Sequence, residues 1–168
     1  MENLIDVLDR ESTEYEGLLV LSQKKTPIIA SGDLEELQKI TDDEQNVVIR
    51  INQLEKKRIE VTKDIANVLN RDVDNLKLTN LIDMLAGQPA EQEKLAAVHD
   101  RLQTAVHSLQ RVNEQNKELL TNALEMVEFE MTLLQSMKAA PETANYNRGA
   151  CTAGNTMGVP SRGFDAKQ

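Results

Sequence analysis

Residues 90–137 read AEQEKLAAVHDRLQTAVHSLQRVNEQNKELLTNALEMVEFEMTLLQSM. Counting from Leu95 in alternate steps of three and four gives Leu95, Val98, Leu102, Ala105, Leu109, Val112, Asn116, Leu119, Ala123, Met126, Glu130, Leu133 and Met137. Only Asn116 and Glu130 interrupt this apolar series, and no Pro or Gly breaks the run. Such an alternation marks the seam of a helix packed along its length against other helices. At about 1.5 Å per residue the helix is roughly 70 Å long. The residues before it are expected to cover the seam, and those after it to form a tail.

Upstream, residues 2–30 carry a broad apolar stripe of Leu4, Val7, Leu8, Tyr15, Leu18, Leu19 and Leu21, with Glu11 lying near it. Ser31, Gly32 and Asp33 read as a stop and restart. Gly32 suits the left-handed residue that ends a helix, and Asp33 with Glu36 has capping-box spacing. A second helix follows over 34–70, with the seam Leu37, Ile40, Glu44, Val47, Ile51, Leu54, Arg58, Val61, Ile65 and Val68. The joint between the two helices is only a few residues long, which predicts that they lie antiparallel. Residues 71–87 are mixed: Asp72, Asp74 and the flanking Asn70 and Asn75 favour a turn, and residues 76–85 are rich enough in Leu for a short third helix. Gly87, Gln88 and Pro89 lead into the long helix.

The long helix is expected to stop at Ala139, Ala140 and Pro141. Four of the seven glycines lie beyond it, in a segment with too little apolar material to fold alone. The predicted fold is therefore all-α. It is an elongated antiparallel coiled-coil-like bundle of three long helices and one short one, with a helical body over 1–140 and a flexible tail over 141–168.

Composition narrows the function classes. The chain of 168 residues has a net charge of −9, 2% aromatic residues and no Trp. Residues 141–168 are net +1, so the helical part is the acidic part. Phosphate binding needs clustered Lys and Arg, so nucleic acid is disfavoured, and an anionic membrane surface equally so. No apolar run approaches spanning length, and the first residues are acidic rather than signal-like. A single cysteine, Cys151, excludes an internal disulfide and fits a reducing cytoplasm.

Polar residues sit on both seams. Glu44 and Arg58 lie too far apart along one helix to pair with each other. With Asn116 they read as register-setting residues that meet partners on neighbouring helices, at some cost in stability. On that reading Arg58→Leu loosens helix alignment more than it lowers stability. His99 and His107 are eight residues apart, which is not the one-turn spacing of helical zinc ligands. No metal, cofactor or catalytic arrangement is expected, and the chain does not read as an enzyme.

The last third of the long helix differs from the rest. Leu120, Leu124, Val127, Met131 and Leu134 make a second apolar stripe beside the seam. One stripe suffices for bundle packing. Either the segment is buried between the first two helices, or it is a surface left for a foreign chain. Met suits surfaces that repack around several ligands. On the second reading the client-binding residues are Leu119, Leu120, Ala123, Leu124, Val127, Met131 and Leu134.

The chain resembles the FlgN family of bacterial flagellar export chaperones. The resemblance is carried by Glu11, Tyr15, Leu18, Leu19 and Lys25, by Gly32-Asp33-Leu34-Glu35, and by the spacing of Ile40 and Glu44. It continues through Leu54-Glu55-Lys56-Lys57-Arg58 and Val112-Asn113-Glu114-Gln115-Asn116-Lys117-Glu118-Leu119-Leu120, then Tyr146-Asn147-Arg148-Gly149. It implies a cytoplasmic helical protein whose clients are hook-associated junction proteins, held through their terminal helices before secretion. It also implies docking on the flagellar export gate, with Tyr146 at the place of the family's tail tyrosine. The competing reading is a structural coiled-coil protein that homo-oligomerises through its long C-terminal helix.

Overall fold

Four α-helices and one short 3-10 turn make up all the regular structure among the described residues. The computed structural model describes residues 1–70 and 77–139. Helix α1 spans Glu2–Ser31, α2 Leu34–Leu69, α3 Leu78–Met84, and α4 Pro89–Ala139, with the 3-10 turn Leu85–Gly87 leading into α4. The chain divides into two units, Met1–Phe129 and Glu130–Gln168. In the second unit the described residues are the last part of α4.

The helix ends follow their local chemistry. Gly32 closes α1 at φ 70°, and its N–H donates to the Ile29 carbonyl. A side chain at that φ would be strained, which is why glycine stands there. One residue later Asp33 Oδ1 accepts from Glu36 N at 3.0 Å and starts α2. Asn70 ends α2 in the left-handed conformation, one residue short of the expected end. Pro27 lies inside α1, where it cannot supply the N–H that would close on the Gln23 carbonyl. Residues 71–76 and 140–168 lie outside the described residues, and with them the expected turn after Asn70, the tail and Cys151.

In the first unit, α1 is the helix against which the others are read. Glu11 faces Arg58, Glu14 faces Arg50 and Lys25 faces Glu44, so numbers on α2 fall as those on α1 rise. Against α4 they rise together. Arg101 reaches Asp9 and Glu16, while Asn116 reaches Ser22 and Thr26.

The core is layered along α1. One apolar cluster gathers Leu4 and Leu8 with Ala66 of α2, Leu81 and Leu85, and Leu95 of α4. The other joins Leu18 to Val47, Ile51 and Leu109. Glu11 and Ser12 are buried at the intervening stretch of α1. The Ser12 hydroxyl is satisfied by the Leu8 carbonyl at 2.8 Å. The second seam holds as far as Ile65, but Val68 at its end is exposed.

Candidate functional site

The seam residues Glu44, Arg58 and Asn116 all meet α1. Arg58 Nε lies 3.0 Å from Glu11 Oε2. Glu44 takes Lys25 Nζ at 2.7 Å on one oxygen and the Ser22 hydroxyl at 2.9 Å on the other. Asn116 Nδ2 donates to the Ser22 carbonyl at 2.8 Å, and its Oδ1 accepts from the Thr26 hydroxyl at 2.7 Å. Ser22 therefore touches both Glu44 and Asn116, joining the polar positions of two seams in one layer. Buried amide and carboxylate groups need such partners to avoid a desolvation cost.

Burial pushes the Glu11 carboxyl above its ordinary range. The nearby Arg58 charge opposes that shift, and the Glu55 carboxylate adds to it. Arg101 does the reverse at the surface. Its guanidinium contacts Glu16 at 2.7 and 2.6 Å through two nitrogens, which holds that carboxyl below its ordinary range.

Among the residues of α4 whose burial is described, Asn116 is the last buried one. Leu119 and Leu120 are half-buried, and from Thr121 every residue through Phe129 is exposed. In this stretch Leu124 is 64% exposed, Val127 55% and Phe129 67%. Residues 130–138, which belong to the second unit, are likewise all exposed, with Met131, Leu134 and Met137 each more than half so.

This corrects the expectation of a seam packed along its whole length. The seam residues Met126, Leu133 and Met137 are exposed together with the second stripe. Nor are residues 121–129 buried between the first two helices. A periodic pattern defines a face, but it does not say how far a neighbour extends along it. Of the seven residues assigned to a client surface, Leu119 and Leu120 are half-covered. Ala123, Leu124, Val127, Met131 and Leu134 are open.

This apolar surface is continuous in sequence and has few charges. Between Lys117 and Lys138 the only ionisable residues are Glu118, Glu125, Glu128 and Glu130. Large exposed apolar patches mark interaction sites. His107 is exposed, and the His99 ring stands 3.2 Å from Asp100. Among the described residues no group of three or more His, Cys, Asp or Glu is arranged to hold a metal ion. Among the same residues no helix is long and apolar enough to cross a membrane.

Comparison with known proteins gives a family. The FlgN protein family matches residues 1–153, which takes in both seams, the polar layer and the open end of α4. This chain belongs to the FlgN family. FlgN proteins are flagellar chaperones, not enzymes. The chain is similar to the uncharacterized protein YvyG of Bacillus subtilis (strain 168), with 28% identity over 144 residues, covering 86% of this chain and 83% of that protein. No solved structure matches this FlgN-family chain. Tyr146 falls inside the family match but outside the described residues.

Proposed function

We propose that this FlgN-family chain is a cytoplasmic secretion chaperone that holds hook-associated junction proteins. It would deliver them to the flagellar type III export apparatus. Its body would be an antiparallel coiled-coil-like bundle, and its client surface the face of Leu119, Leu120, Ala123, Leu124, Val127, Met131 and Leu134. The observation that carries the reading is the exposure of every described α4 residue from Thr121 on, in a stretch this rich in Leu, Met, Val and Phe. Water is a poor neighbour for that surface, and a client's amphipathic helix is a good one. Covering it contributes about 25 cal/mol per Å², less the cost of ordering the client. Tyr146 would dock on the export gate, a role that rests on the family resemblance.

The same face also fits self-association through α4. Co-expression with the hook-associated proteins of the same genome, followed by size-exclusion chromatography with light scattering, separates the two. A chaperone gives a defined complex with one of them. A structural protein gives a concentration-dependent homo-oligomer that ignores them all.

A further inference from the structure

Asn116 and Glu130 are the two polar interruptions of the α4 seam, and they stand fourteen residues apart, two heptads, at the same seam position. Asn116 is buried and answered from within the chain, by the Ser22 carbonyl and the Thr26 hydroxyl. Glu130 is exposed, and no hydrogen bond or ion pair reaches its side-chain carboxylate from any described residue. Its neighbours on the helix face are Leu133, Leu134 and Met137, at the spacing of three, four and seven residues that puts all four on one side. These three are 49%, 56% and 68% exposed. The carboxylate thus heads an open apolar face instead of bordering it.

We propose that Glu130 is the specificity-determining residue of this face, selecting partner helices that carry a Lys or Arg within their own apolar stripe. The inference rests on the reading of the end of α4 as a client surface. A helix that covers Leu133, Leu134 and Met137 also takes Glu130 out of water. A buried carboxylate without a partner is strongly unfavourable. An all-apolar stripe is therefore penalised, an acidic one is repelled, and one with a cation opposite Glu130 is accepted. This is selection by rejection as much as by attraction. The Asn116 layer is the same device answered by a helix of the chain itself. A second copy aligned in parallel would set Glu130 against Glu130, so a foreign helix with an opposing cation fits better than a parallel twin.

The test uses synthetic helical peptides of about three heptads with a common Leu stripe. One has Lys at the centre of the stripe. A second has the same Lys moved to the outward face, which keeps the net charge equal. A third has Glu at the centre. Each is fluorescently labelled and titrated with the full chain, followed by anisotropy. The central-Lys peptide is expected to bind at least about tenfold tighter than the outward-Lys peptide, with the Glu peptide weakest. Glu130→Gln should erase the difference between the two Lys peptides, and Glu130→Lys should make the Glu peptide the preferred one. Helicity by circular dichroism checks that these variants fold.

If both Lys peptides bind equally, or Glu130→Gln leaves their ratio unchanged, Glu130 does not select and the docking face stands alone. Absence of binding by any peptide, or full retention of binding by the Leu133→Ser, Met137→Ser double variant, overturns the docking face and the role of Glu130 with it. A homodimer that dissolves in Glu130→Gln assigns the charge to self-pairing and likewise overturns the proposal.

Discussion

Arg58 Nε approaches Glu11 Oε2 to 3.0 Å, yet the geometry is that of two charges in contact and not of a hydrogen bond. The Glu11 side chain is 3% exposed and that of Arg58 28%. The carboxylate is therefore the member that depends on the pair. Read as a lone seam charge, Arg58 is expendable. With Glu11 behind it, Arg58→Leu strands a buried carboxyl. The expected cost is about 3 kcal/mol, the lower end for breaking a buried pair because Arg58 retains some water. Thermal melting should show a clear drop. The double replacement Glu11→Leu, Arg58→Leu should recover most of it, since replacing both charges by apolar groups is often neutral. A double variant no more stable than Arg58→Leu alone would mean that the arginine stem, not its charge, carries the contact.

The same pair predicts a pH dependence. Burial raises the Glu11 carboxyl in the folded chain, against the opposing Arg58 charge. A group whose folded value is raised gives stability that is fully present below its unfolded value and is lost as pH rises through the folded value. Removing Arg58 takes away the influence that opposes burial, so the folded value climbs further. The deficit of Arg58→Leu relative to the parent should be large near about pH 7 and small near about pH 4, where Glu11 is protonated in both proteins. Parallel denaturant titrations at the two pH values measure it. A deficit that does not change with pH would show that Glu11 ionisation is not involved.

Much of this arrangement can be read in the chain and part of it cannot. Gly32 and Asp33 locate the first joint because left-handed termination and N-capping are local chemistry. Glu44, Arg58 and Asn116 stand out because a polar residue in an apolar series requires a partner. The partners themselves do not stand out. Ser22, Lys25 and Thr26 look like ordinary helix-surface residues until α2 and α4 are placed beside them. The end of burial at Asn116 is equally hidden. The 3-4 pattern runs on to Met137 unchanged, and what ends is the cover, a property of other segments. By periodicity Glu130 interrupts a packing face, and its exposure cannot be derived from that periodicity.

The Asn116 layer predicts a coupling. Asn116→Ala removes the groups that answer the Ser22 carbonyl and the Thr26 hydroxyl, at a cost of about 1–3 kcal/mol. Thr26→Val removes one of the same contacts from the other side. In a double-mutant cycle the two should be markedly less than additive, because each deletes the hydrogen bond the other would break. Chemical denaturation of the four proteins gives the coupling. Simple additivity would argue that the Thr26 contact of 2.7 Å contributes nothing of its own.

Tyr146 makes a prediction of a different kind, about export and not folding. A tyrosine supplies a large contact area with few rotatable bonds, which suits a docking anchor. Tyr146→Ala should leave helicity and client binding unchanged and lower secretion of the hook-associated proteins. Normal secretion by this variant, at normal chaperone levels, removes the docking role.

Leu124→Ser combined with Met131→Ser tests whether the open part of α4 serves clients or the chain itself. Leu124 is 64% and Met131 55% exposed, so each side chain gives up little packing when it is changed. Surface substitutions away from caps, pairs and cavities usually shift stability by less than about 0.5 kcal/mol. Ser is a weaker helix former than Leu or Met, which adds a few tenths of a kcal/mol in an exposed helix. The free double variant should therefore melt close to the parent. Client binding should fail, because the two residues lie seven apart in sequence, within the proposed client surface. Melting of the client-free protein decides between the readings. A fall of the size that follows from emptying a core position, about 2–5 kcal/mol per large side chain, would place both residues in packing of the chain's own making. An unchanged melt with client lost would leave only an intermolecular use for the apolar surface.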